Sequence, residues 1–136
     1  MINGEKNTDI ENRILSHNKE IKIFYSKYKA QNIDKFKNKK VTAFAGIGNS
    51  VNFFNILKNN NIDILEEISF PDHYEYLDKE LENLIYKAKE NHTILLTTEK
   101  DYFRINENYK KNINCLKIVV EIENRNQFIE EIKKVI

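Results

Sequence analysis

Glycine, proline and cysteine are nearly absent from this 136-residue chain: three, one and one. A lone thiol cannot close an internal disulfide, so no crosslinked framework holds the fold, and a reducing compartment is the expected setting. Cys115 lies in the apolar run "INCLKIVV", where it reads as a buried strand residue rather than a nucleophile. Apolar stretches are short. None approaches the roughly 18 consecutive residues of a membrane span, and the opening "MINGEKNTDIENR" has no apolar signal-peptide core. The expectation is a soluble, cytoplasmic chain. Charge of one sign is missing too: 22 Lys and Arg against 21 Asp and Glu leave a net +1. No net field draws nucleic acid, and no nucleic-acid partner is expected. The carboxylates at 66–67, 80, 82 and 130–131 fall on helix or strand-end surface. No residue spacing matches a metal site, so no metal ligand is assigned. Repeats and low-complexity linkers are absent as well.

What is present is enough apolar residue, 40% of the chain, to build one domain with a real core. Residues 1–40 read as a helix around Ile10 and Ile14, a strand in "IKIFYSKY" and the polar tether "KAQNIDKFKNKK". With few core-facing residues, they are expected to pack loosely or project. From residue 41 the pattern becomes regular. Strands are expected at 41–45, 62–68, 92–98 and 115–122, with helices at 50–60, 77–91 and 125–135. Strands alternating with helices imply right-handed crossovers. The expected fold is therefore α/β: a three-layer α/β/α sandwich around a mainly parallel, Rossmann-like sheet. Expected boundaries are 1–40 for the connection and 41–136 for the lobe.

Two of the three glycines stand within three residues, in "AFAGIGN" at 43–49. This stretch and two others follow expected strands: "GIGN" after the first, "FPDH" after the second and "TTEKD" after the third. In open parallel sheets, ligands bind at the carboxyl ends of the strands. That edge would collect Asn49, Asp72, His73, Thr97, Thr98, Glu99, Lys100 and Asp101, beside the turn of Gly46 and Gly48. The opposite ends offer only plain polar sets such as "NKK" and "NNN".

Each stretch has two readings. "GIGN" is a strand-to-helix turn needing positive φ and close packing, or a set of backbone N–H groups for an anion. It satisfies neither G-x-G-x-x-G nor a P-loop. In "FPDH", Pro71 fixes the loop direction and His73 stands beside Asp72, a pair able to move a proton or orient a carboxylate. His17 and His92 receive no role. "TTEKD" is a phosphate-binding cluster or a helix start capped by Thr98 with Asp101 three residues on. "YFRI" after it reads as core and rim.

Taken in order, "VTAFAGIGNSVNFFNIL", "ISFPDHYEY" and "ILLTTEKDYFRI" resemble the C-terminal half of the tetraacyldisaccharide 4′-kinase (lipid A 4′-kinase) family. The resemblance runs from about residue 20 to the end. It implies an enzyme of lipopolysaccharide biosynthesis that moves the γ-phosphate of ATP to the 4′-position of a tetraacyldisaccharide 1-phosphate lipid. It also implies two α/β lobes, with ATP and Mg²⁺ held mainly by a P-loop lobe, and a lipid A disaccharide precursor near the cleft. His73 matches the histidine that faces the cleft and supports a catalytic aspartate, with Asp72 beside it. Gly46, Gly48, Asn49, Thr98, Glu99, Lys100 and Asp101 would line the substrate or phosphate side. These residues contain no G-x-x-x-x-G-K-[ST] and no aspartate-rich magnesium stretch. The implied chain is thus the second lobe, inactive alone, with a separately encoded N-terminal lobe as a candidate partner. Only through that lobe would it meet the membrane surface, at the cytoplasmic side of the inner membrane. A stand-alone α/β binding or interaction module is the alternative.

Overall fold

The computed structural model describes residues 1–136, which form two compact units: residues 30–118, and residues 1–29 with 119–136. The first of these contains a four-stranded sheet in the order β4 (Asp63–Ser69), β3 (Lys40–Ala45), β5 (Ile94–Thr98), β6 (Asn114–Leu116). All three strand pairings are parallel. Strand β3 (Lys40–Ala45) is central, and every residue after Lys40 is buried. Its side chains alternate between two cores, so both faces are apolar and no polar alternation appears in the sequence. On one face Val41, Ala43 and Ala45 pack with Phe53, Phe54 and Leu57 of helix α2 (Ser50–Asn59). On the other, Phe44 packs with Leu81, Leu84, Ile85 and Ala88 of helix α3 (Asp78–Glu90). The expected three-layer α/β/α arrangement is present.

Strands β4 (Asp63–Ser69) and β5 (Ile94–Thr98) flank β3. Edge strand β4 alternates half-buried and exposed residues, as a strand covered on one face should. Beyond β5 come two short helices, α4 (Glu99–Arg104) and α5 (Glu107–Lys110), and then β6 (Asn114–Leu116).

Two expectations are corrected here. The strand expected at 115–122 is broken: β6 stops at Leu116 and β7 (Ile118–Ile122) belongs to a different sheet. Asn32 secures the break, its Oδ1 accepting the Lys117 N–H at 2.8 Å and its Nδ2 donating to the Cys115 carbonyl at 2.9 Å. The second correction concerns the "polar tether". A 3-10 turn at Ile33–Phe36 buries Ile33 and Phe36 in the α2-side core. A single such turn has no periodicity for the sequence to reveal.

In the other unit, β1 (Ile2–Asn3) and β2 (Tyr25–Ala30) pair in parallel, and the three-stranded order is β1-β2-β7. Strand β2 starts four residues later than "IKIFYSKY" suggested; Ile21 is exposed and Phe24 half-buried, and neither lies in the sheet of Val41. Helix α1 (Thr8–His17) is capped by Asn7 and buries none of its residues fully. Helix α6 (Arg125–Val135) follows β7. Phe24 meets Phe128 edge-on at 5.2 Å, and Lys22 pairs with Glu131 at 2.6 Å. Residues 119–136 therefore belong with the first 29 residues, not with the 41–136 lobe to which the sequence assigned them.

Candidate active site

Because β3, β4 and β5 are parallel, the segments that follow them emerge at one edge of the sheet. After β3 the chain turns through Gly46–Asn49 into α2. Asn49 caps that helix, its Oδ1 accepting the Asn52 N–H at 3.0 Å. Neither Gly46 nor Gly48 has positive φ; only Gly4 does among the glycines. The expected left-handed turn is thus corrected, and the requirement at Gly46 is space. A β-carbon there would stand 2.8 Å from the Tyr76 hydroxyl and 3.0 Å from the Tyr74 Cβ. At Gly48 it would stand 3.2 Å from the Asp72 carboxylate, so the "FPDH" loop lies against the glycine turn. Ser50 and Ser69 join the same two segments through a 3.0 Å hydroxyl contact.

The loop after β4 is pinned at both ends and free at its apex. Phe70 donates its N–H to the Ala45 carbonyl at 2.8 Å. Phe70, Tyr74 and Tyr76 stack on one another with centroids 4.8–5.4 Å apart, and Phe44 meets Tyr76 at 5.5 Å. The Tyr74 hydroxyl donates to Glu80 Oε1 at 2.6 Å, while Glu80 Oε2 accepts the Leu77 N–H at 3.0 Å. Those two bonds, the tyrosine's first, hold the Glu80 carboxyl below its ordinary range.

Between the pins stand Asp72 and His73, their side chains 53% and 87% exposed. His73 takes φ +57, a left-handed conformation that costs a non-glycine residue of order 1–3 kcal/mol and persists only when its surroundings impose it. Asp72 Oδ1 accepts the His73 N–H at 3.0 Å, and Oδ2 lies 3.6 Å from His73 Nε2. The imidazole is otherwise open.

The third segment folds inward. Thr98 caps α4 by accepting the Asp101 N–H at 3.2 Å and returns its own proton to Asp101 Oδ2 at 2.7 Å. The Asp101 side chain is fully buried. Its Oδ2 also accepts the Gly46 N–H at 3.1 Å, and its Oδ1 accepts the Tyr76 hydroxyl at 3.0 Å and the Arg104 guanidinium. Arg104 in turn donates to the Gly46 carbonyl at 2.8 Å. Burial first, then the Asp101 charge, raises the Tyr76 phenol far above the ordinary tyrosine range, so it remains a donor.

Of the residues assigned from sequence, Gly48, Asn49, Asp72 and His73 share the open rim, Gly46 is buried behind it with its backbone bonded to Asp101 and Arg104, and Lys100 is exposed on α4. Glu99 is half-buried and accepts the Ile118 N–H at 3.4 Å. Thr98 and Asp101 are corrected: both are buried, and the bonds just described occupy the hydroxyl and both carboxylate oxygens. They join the segments that follow β3, β4 and β5. Sequence reading missed Arg104, Tyr74 and Tyr76. The Asp101-to-Arg104 spacing of one helical turn was a signal for the first; nothing in "HYEY" marks its two tyrosines as partners of Glu80 and Asp101.

The comparisons with known proteins agree with this architecture. The family model described as LpxK, tetraacyldisaccharide-1-P 4′-kinase, matches residues 2–136. The tetraacyldisaccharide 4′-kinase of Rickettsia akari (strain Hartford) is 46% identical over 105 residues, 77% of this chain and 31% of that protein. That of Pelagibacter ubique (strain HTCC1062) is 40% identical over 111 residues, 81% of this chain and 35% of that protein. The chain thus spans about a third of the length of the curated relatives it matches. Among solved structures, the "apo" form of LpxK from Aquifex aeolicus in complex with ATP is 26% identical, with a TM-score of 0.54. That match covers 88% of this chain and 40% of the other. A family model matching residues 2–136, with relatives 40–46% identical over more than three quarters of the chain, leaves one conclusion: the chain belongs to the tetraacyldisaccharide-1-P 4′-kinase family.

Proposed function

We propose that this chain is the C-terminal lobe of a tetraacyldisaccharide 4′-kinase and presents Asp72 and His73 to the reacting groups. The observation that carries this reading is the loop apex: an open imidazole in a strained backbone conformation, beside a carboxylate, on a loop anchored at both ends. In the reaction the 4′-hydroxyl oxygen bonds to the γ-phosphorus of ATP as the bond to the bridging oxygen of ADP breaks, and the hydroxyl proton leaves to a base. Such transfers depend mainly on positioning and on stabilising charge. His73 would steady the carboxylate base that the remainder of the kinase supplies, with Asp72 restraining the ring. Lys100 and the Gly46–Asn49 turn would border the substrate.

ATP and Mg²⁺ do not fit these residues. No three His, Cys, Asp or Glu side chains converge to hold an ion. The Asp101 oxygens are engaged, and the "GIGN" turn lacks the lysine and hydroxyl residue of a P-loop. The proposal assigns nucleotide and ion to the part of the kinase outside this chain; use of ATP itself is supported by the Aquifex aeolicus relative, solved in complex with ATP. The lipid A disaccharide precursor is the proposed substrate, and the cytoplasmic face of the inner membrane the proposed place of action. No helix here is long and apolar enough to cross a membrane.

The test is complementation. The chain alone is expected to transfer no phosphate and to bind ATP–Mg²⁺ no tighter than about 1 mM, about −4 kcal/mol. Mixed with the N-terminal remainder of the Rickettsia akari kinase, it is expected to restore 4′-phosphorylation. Micromolar ATP binding by the chain alone would indicate a stand-alone nucleotide module. No transfer, where the relative's own C-terminal part restores it, would overturn the reading.

A further inference from the structure

We propose that Asp101 is a positioning residue: through Tyr76 and Gly46 it sets the Asp72–His73 loop against the glycine turn. The inference rests on the kinase reading above. Four donors from separate segments converge on this one buried carboxylate: the Gly46 backbone after β3, Tyr76 after β4, Thr98 at the end of β5 and Arg104 on α4. The arrangement is closed on itself, since Arg104 also holds the Gly46 carbonyl. A buried carboxylate is expensive to desolvate, and an apolar residue of similar volume would often give equal or better stability. What a fully satisfied polar network adds is a single relative placement of the segments it joins.

Two short routes lead from Asp101 to the apex. Tyr76 lies three residues after His73, and its hydroxyl occupies the space directly above Gly46. Gly46 lies two residues before Gly48, against which Asp72 rests. No ionic or hydrogen-bonded contact other than the Asp72 pairing restrains the His73 side chain. Its location is therefore inherited from the anchors of its loop: the Phe70 N–H on the Ala45 carbonyl before the apex and Tyr76–Asp101 after it.

Tyr76→Phe removes one donor and keeps the ring, a milder change than any substitution of Asp101 itself; Tyr109→Phe, which loses a hydroxyl bond to Glu82 at the surface, is the control. In ¹⁵N relaxation measurements on the chain, Tyr76→Phe is expected to lower the order parameters of Asp72, His73 and Tyr74 from about 0.85 to below about 0.6. Values in α3 and β5 should hold, and the control should change nothing. In the complemented kinase, kcat should fall about tenfold to a hundredfold with little change in KM, the signature of misplacement rather than lost binding. Loosening spread evenly over the unit, or unchanged loop order with unchanged kcat, would overturn the proposal and leave Asp101 a stabilising residue only. If the wild-type mixture transfers no phosphate, the kinase reading fails while the order parameters still decide the positioning.

Discussion

Asp72 and Asp101 both come from polar motifs at the carboxyl ends of the two strands that flank β3, yet they occupy opposite environments. Asp101 is fully buried, each oxygen accepting two bonds. Asp72 is half exposed and holds little beyond the backbone and ring of its neighbour. The carboxylate with more partners fixes geometry; the one with fewer remains available for chemistry. A polar motif at a sheet edge therefore cannot be given a role until its unused hydrogen-bonding capacity is known.

That contrast makes separable predictions. Asp101→Ala should have the largest effect, about 3–5 kcal/mol of lost stability, because it leaves the buried Gly46 N–H and Thr98 hydroxyl and the half-buried Tyr76 hydroxyl without their acceptor, and the partly exposed Arg104 without its carboxylate. Urea denaturation checks it, and a loss under about 1 kcal/mol would mean that the corner is less closed than it looks. His73→Ala should instead leave stability within about 1 kcal/mol while lowering the rate of the complemented kinase at least about a hundredfold, about 2.7 kcal/mol of barrier. His73→Gly should lose the same activity yet unfold at higher urea than His73→Ala, since glycine alone accepts φ +57 without strain. Equal midpoints would show that the backbone there is relaxed.

Gly46→Ala should cost about 1–3 kcal/mol through overpacking, because its new methyl group meets Tyr76 and Tyr74 at 2.8 and 3.0 Å. Combining it with Tyr76→Phe should recover part of the loss; a purely additive double variant would point away from the hydroxyl clash. The smallest effect is in pH. The Tyr76 phenol titrates higher folded than unfolded. Its stabilisation is complete below the ordinary tyrosine value near 10 and is lost as pH rises above it. Tyr76→Phe should flatten the alkaline arm of the urea midpoint against pH, and an unchanged slope would remove Tyr76 as its source.

Much of the sheet was legible from residues alone. "VTAFA" and "ILLTT" are short apolar runs of the kind that central parallel strands require, and α3 shows an uninterrupted stripe from Leu81 to Ala88. The transfer at Lys117 was not legible. An exposed lysine fits the alternation of one long strand as well as the gap between two, and a three-residue strand has too few positions for a period to register. The core roles of Ile33 and Phe36 were hidden by the lysines and asparagines around them. At the site, position along the sheet edge was readable because topology dictates it. Which side chains turn inward was not, since "TTEKD" caps a helix and buries its last carboxylate through partners up to 55 residues away.

The way the chain enters and leaves its larger unit bears on how it is made. Residues 30–118 are one uninterrupted stretch, whereas the smaller unit needs 1–29 together with 119–136. The stretch is closed at its base, where the Gln31 N–H donates to the Lys117 carbonyl at 2.8 Å. During synthesis the sheet carrying the glycine turn and the histidine loop can be complete while the first 29 residues still wait for β7 and α6 to leave the ribosome. Its two ends already meet, so the stretch 30–118 is also the piece most suited to excision as an autonomous domain or to circular permutation.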